Sequence, residues 1–137
     1  MANIAITPGN VIAGANARTF NGTSGATITA GHVLYYDSAT AKYKLAICDA
    51  ATEAQRTPAG IALNNASAGQ PVTVLVSGEV TIGGTIAAGV SYYLTDASGR
   101  IGTVDQLTTG DYPVLLGMGK STSVLFVSIL NPGVALA

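Results

Sequence analysis

The sequence predicts an all-β domain, a compact sandwich or small barrel of short antiparallel strands with an extended N-terminal arm. Three observations predict it. Seventeen glycines punctuate the 137 residues, and turn signals recur at the roughly 8–12-residue spacing of proteins built from short strands. Between the turns lie runs such as Val72-Thr73-Val74-Leu75-Val76, rich in the β-branched residues that suit a pleated surface. Almost nothing carries a helical period. Asp49 to Arg56 is the one helix-compatible piece, and its length supports no more than a turn or two.

At this length the chain is one ordinary domain with a single core. Residues 1–25 read as the arm and residues 26–137 as the β domain, within which about 26–83 and 84–130 read as two related β units. In the arm, Pro8-Gly9-Asn10 and Asn21-Gly22-Thr23-Ser24-Gly25 mark turns. Two readings of it stand side by side. It is a flexible terminus with one edge strand, or it orders on a partner, adding the alternating Asn3-Ile4-Ala5-Ile6-Thr7 to a neighbouring sheet edge.

From Ala26 the pattern is strand, turn, strand. His32 to Tyr36 is extended, Asp37-Ser38-Ala39-Thr40 is a turn with Asp first, where its carboxylate accepts from the following backbone, and Lys42 to Ile47 alternates. Gly60 to Leu63 is a short strand stopped by Asn64-Asn65. Val72 to Val76 and Glu79 to Ile82 are two more, separated by a punctuating Ser77-Gly78. Pro71 fits only a strand start or edge. The remaining half replays the first: Tyr92-Tyr93 echoes Tyr35-Tyr36, and an offset near 57 residues lays Gly117-Met118 over Gly60-Ile61. Either a duplication or shared hairpin grammar gives this echo. Gly119 to Ser123 is a hairpin turn, and Leu130-Asn131-Pro132-Gly133 stops the last strand. The apolar runs Val72 to Val76 and Leu125 to Ile129 belong at the sheet centre, because uncapped apolar edges invite uncontrolled pairing.

Charged residues make up 9% of the chain and apolar residues 48%, with a mean hydropathy of +0.44; an average soluble domain is about 25% charged. A monomer of this composition exposes neutral and apolar areas that mark permanent contacts, so an oligomer or a component of a larger assembly is expected. The net charge is −1 and Lys42 and Lys44 are isolated, so no basic face for nucleic acid is visible. The single Cys48 excludes an internal disulfide, and no Cys/His spacing suggests a metal. No secretory leader and no membrane-length apolar run is evident, which makes the glycosylation-like triplets at Asn21 and Asn65 uninformative.

Catalysis needs a nucleophile, a base and an orienting group at one place. The sole histidine, His32, with Cys48 and Asp49 is the one candidate constellation, set against a turn-flanking histidine and a core thiol. Gly117-Met118-Gly119-Lys120-Ser121 lacks the first glycine of a phosphate loop, where Val114 stands. The aspartates lie mostly in turns, at too low a density for a calcium loop. No catalytic residue, cofactor or metal is therefore expected. Tyr35-Tyr36 and Tyr92-Tyr93 each turn one ring in and one out, and an outward tyrosine suits a protein interface.

Gly60-Ile61-Ala62-Leu63, then Ala68-Gly69-Gln70-Pro71-Val72, then Ser77-Gly78-Glu79-Val80 resembles a family of small virion proteins of tailed phages, similar in type to head-decoration or capsid cement proteins. The resemblance runs from about residue 26 to 130. It implies a structural protein, not an enzyme, on the outer surface of the capsid and made in the host cytoplasm. It further implies binding to the major capsid protein and to itself as a homotrimer, with no nucleic acid and no membrane. Shell contact is then expected from Asn3, Ile4, Ala5, Ile6, Thr7, Val11, Ile12 and Phe20, and subunit contact from Tyr35, Tyr36, Tyr92, Tyr93 and outward residues of the long strands. A fibre, spike or host-attachment domain is the alternative of another class.

Overall fold

The computed structural model describes residues 3–137; Met1 and Ala2 of the expected arm lie outside the described residues. Among the described residues ten strands form one sheet: β1 (Val11–Ala13), β2 (Arg18–Thr23), β3 (Val33–Asp37), β4 (Lys42–Leu45), β5 (Gly60–Ala62), β6 (Pro71–Ile82), β7 (Ser91–Leu94), β8 (Ile101–Gly102), β9 (Leu115–Gly119) and β10 (Val124–Leu130). Helical structure among the described residues is confined to 3₁₀ turns at Pro8–Asn10, Ala54–Arg56 and Val104–Gln106. The strands pair in the order β4-β3-β5-β6-β10-β9-β7-β8, and the antiparallel sheet curls into a half-barrel, in line with the all-β expectation. The two apolar runs expected at the centre, in β6 and β10, are neighbours there.

β6 is the spine, twelve residues long, with Pro71 at its first position where a missing N–H costs least. Ser77-Gly78, expected as a turn between two strands, instead bends one continuous strand. Gly78 has φ of 100°, and a Cβ there would collide with the Asn16 carbonyl oxygen, so only glycine fits the bend. The register slips at the same place: Arg18 faces Ser77 while Thr19 faces Leu75. This bulge resets the alternation, so that Leu75 before it and Val80 and Ile82 after it all face the core. The first half of β6 pairs with β2 and β5, and its second half pairs with β1 and β10.

The N-terminal segment is extended, but it is laid against the sheet and does not stand off as a separate arm. β1 and β2 both run antiparallel to β6. The gap between them is bridged by the Gly14 N–H donating to the Glu79 carbonyl at 2.7 Å and the Glu79 N–H donating to the Ala15 carbonyl at 3.0 Å. Asn3–Thr7, whose alternation suggested a strand, lies outside the strands. Even so, the Ile4 N–H donates to the Ile101 carbonyl and the Thr7 N–H to the Gly83 carbonyl, each at 2.8 Å. At the other end the Gly25 N–H donates to the Tyr43 carbonyl at 2.7 Å. One segment therefore occupies backbone groups of β8, β6 and β4 that a bare sheet would leave as open edges.

The interior of the curl holds the main core, with Val33, Ile61, Leu75, Val80, Leu94, Leu116, Leu125 and Val127 fully buried. A second, smaller cluster of Ile28, Leu34, Ala62, Val72 and Val74 packs on the other face of the first half. It is covered by the loops around Ile28 and Ala66, which exchange backbone hydrogen bonds at 2.8 and 2.9 Å. The first half of the sheet is thus covered on both faces.

The strands of the two expected units share a connectivity: β3 to β6 pair as β4-β3-β5-β6, and β7 to β10 pair as β8-β7-β9-β10. The rungs correspond as well. Ile61 faces Leu75 and Ala62 faces Val74, as Met118 faces Phe126 and Gly119 faces Leu125. Gly60 and Gly117 sit one residue before these rungs, and a Cβ at either would strike the carbonyl oxygen of Leu75 or Phe126 respectively. The faces do not correspond. Ile61 and Leu75 are core, whereas Met118 and Phe126 are exposed.

Candidate functional site

That reversed rung is the centre of an apolar surface on the outside of the second half. Directly opposed residues of paired strands share a face, so the registers give its rows. One runs Glu79, Phe126, Met118, Ser91; a second runs Leu130, Leu115, Tyr93; a third runs Ile12, Thr81, Val124. Phe126 and Met118 are each 47% exposed, and Leu130 and Ile12 each 62%. Lys120 Nζ lies 2.8 Å from Glu79 Oε2 at the rim, so these charges neutralise one another. A shallow depression of about 380 Å³ between β9 and β10 is walled by Leu115, Met118, Phe126 and Leu130. Completing the burial of Phe126 or Met118, each already half covered, is worth about 1 kcal/mol apiece.

A second exposed cluster lies on the first half. Phe20 and Tyr36 flank Tyr43, with ring centroids 5.9 and 5.2 Å away. Tyr43 is buried, and that burial, followed by the neighbouring Tyr36, raises its hydroxyl above the usual phenol range. Phe20 and Tyr36 remain exposed.

The expected contact residues divide between surface and core. Of the residues assigned to shell contact, Ile12 and Phe20 are exposed apolar groups, Ala5 and Thr7 are exposed, and Asn3 and Ile6 are half-buried. Ile4 and Val11 are buried in the main core, and their assignment as contacts is corrected: each supplies apolar surface that seals the curl. Of the tyrosines, Tyr36 is exposed and Tyr93 half-buried. Tyr35 and Tyr92 are core residues, corrected likewise by the two-residue alternation of β3 and β7. The Tyr92 hydroxyl accepts from the Ala87 N–H at 2.9 Å, which fixes its ring inward. Met118 and Leu130 were not singled out from sequence. Their exposure depends on which face of β9 and β10 meets the core, and alternation alone leaves that face open.

Cys48, His32 and Asp111 serve local structure. Cys48 is fully buried, and burial, with the carboxylates of Asp111, Asp49 and Asp96 adding to it, pushes its thiol up to about 12. A thiol protonated at neutral pH is not a nucleophile. His32 Nδ1 accepts from the Thr29 N–H at 3.1 Å, and burial, then Arg100, holds the ring below the ordinary imidazole range. Asp111 is buried, and its Oδ2 accepts from the Thr108 N–H at 2.9 Å, closing a turn. No family model matches the chain, and a search of curated proteins finds no match.

Proposed function

We propose that the chain is a phage capsid decoration protein, which binds the outside of the major capsid shell as a homo-oligomer and stabilises it by clamping neighbouring subunits. The observation that carries this reading is the reversed rung: Met118 and Phe126 hold positions that are core in the first half, yet they lie open in the single chain. A surface built like a core is one that a partner covers. The low charge of the chain and the resemblance of the Gly60 to Val80 segment to tailed-phage virion proteins support the same reading. The trimeric state and the capsid partner come from that resemblance.

The mechanism is linkage. A protein that binds several assembled subunits at once, and dispersed subunits poorly, stabilises the assembly by its binding free energy. At a free concentration about 100 times Kd this is about 2.7 kcal/mol per site. Shell contact falls to the exposed part of the N-terminal segment, Ile12 and Phe20, and subunit contact to the outer face of β9 and β10. Electron microscopy of virions carrying a C-terminally tagged chain tests the proposal. Label spread regularly over the head is expected; label confined to the tail or to one vertex would replace it with a fibre or connector role.

A further inference from the structure

The 3₁₀ turn Ala54–Arg56 separates two adjoining cavities away from the outer face of β9 and β10. The larger, about 440 Å³, is walled on one side by the ring of Tyr36, which is 46% exposed. The smaller, about 180 Å³, is lined by Arg56, Tyr112 and Asn131, and the two share Glu53 and Thr57 as walls. The larger lies within the roughly 300–1,000 Å³ of small-molecule sites.

The Arg56 side chain is held in place but not used up. The Arg56 guanidinium carbon lies 3.6 Å from the centroid of the Tyr112 ring, a stacked cation that is ordered without being neutralised. Its backbone carbonyl accepts from Asn131 Nδ2 at 3.3 Å, and its Nε is buried with no hydrogen-bond partner. Among the described residues neither Arg56 nor Glu53 forms an ion pair, although they line the same cavity. A planar donor fork and a carboxylate acceptor on one wall, with no net charge between them, match a ligand carrying donors and acceptors on adjacent atoms. The neighbouring tyrosine ring adds a flat apolar surface. Neutral sugars have this combination: vicinal hydroxyls that donate and accept, and a face of C–H groups that lies on an aromatic ring.

We infer that the cleft around Ala54–Arg56 is a saccharide-binding site, with Tyr36 taking the apolar face of a pyranose and Arg56 and Glu53 taking its hydroxyls, while Asn131, its amide engaged with Arg56, Thr57 and Gly133, holds the wall. The inference does not rest on the capsid reading. A protein segment is the competing occupant. The cleft disfavours it, since a peptide side chain anchors best in an apolar pocket and the smaller cavity here is walled by charged and amide groups.

The test is saturation-transfer NMR and titration of the full chain with methyl α-D-glucopyranoside, methyl α-D-galactopyranoside and chitotriose. Saturable binding of at least one probe is expected. It should weaken at least about tenfold in Tyr36→Ala and in Arg56→Ala, and also in Arg56→Lys, because lysine keeps the charge but loses the planar fork. Asn131→Ala provides a variant in the same wall outside the aromatic cluster, and unfolding midpoints report whether each variant is folded. Absence of binding for all three probes overturns the inference, as does binding that the folded variants leave unchanged. Loss of association with phage heads in these variants without any probe binding would assign the cleft to a protein partner instead.

Discussion

Asp37 and Lys44 meet at 2.7 Å across the β3–β4 hairpin. The hydrogen bond from Lys44, then that from Thr40, holds the Asp37 carboxyl below its usual range, while the same contact raises Lys44. A depressed folded-state value means that this contribution to stability is present above the unfolded carboxylate pKa and is lost as pH falls through the folded one. Asp37→Asn should therefore lower the urea midpoint at neutral pH, and the difference from the parent should shrink from about pH 5 downward. A difference independent of pH would show that the charge is not what matters. Cys48 makes a second residue-scale expectation: at pH 8 a thiol reagent should modify it only as fast as the chain opens, because the side chain is fully buried and that burial pushes its thiol up to about 12. Rapid stoichiometric labelling of native protein would contradict its burial. A glycine pair separates collision from backbone strain. Gly117→Ala brings a Cβ onto the Phe126 carbonyl oxygen and should cost about 3 kcal/mol or more. Gly69→Ala, at φ of 86° with nothing near the new methyl, should cost about 1 kcal/mol; equal costs would refute the distinction. At this scale the sequence was partly legible: one ring of each tyrosine pair is buried, as alternation requires, but Ile4 and Val11 are buried by contacts with elements far along the chain.

Among the elements, the most consequential is the segment from Asn3 to Gly25. On the sequence alone, removing residues 1–20 is expected to leave a folded β domain. The structure predicts otherwise, because the deletion strips β1 and half of β2 from β6 and takes Ile4 and Val11 out of the core. The truncated chain should unfold at clearly lower urea and become protease-sensitive; an unchanged midpoint would restore the independent arm. The centrality of β6 and β10 was readable because long β-branched runs cannot safely lie at an edge. The continuity of β6 through Ser77-Gly78 was not. A glycine after a serine signals a turn and a bulge equally well, and only the close approach of the Asn16 backbone distinguishes them.

For the molecule as a whole, a low charge content forecast the all-β chain's exposed apolar area but not its address. The address follows from Met118 and Phe126 facing outward where Ile61 and Leu75 face inward. Phe126→Thr puts a β-branched residue in the strand and sets no like charge opposite Glu79, so it should leave the chain folded at a cost of about 1 kcal/mol while, on the proposed function, abolishing oligomerisation and association with heads. Retention of both in sedimentation would move the interface elsewhere. The N-terminal segment has one more consequence, which concerns time. Ile4 is bonded to Ile101, and Thr19 to Phe20 lie against Leu75 and Val74. During synthesis, each must wait for a partner far downstream. Pairings of such long sequence separation make folding slow, because loop closure precedes any return from the contact. Until they form, the edge of β6 that this segment will cover is open to other chains. On the decoration role proposed above, a protein made in many copies meets that hazard in every nascent molecule, and a neighbour's N-terminal segment could fill the edge as well as its own.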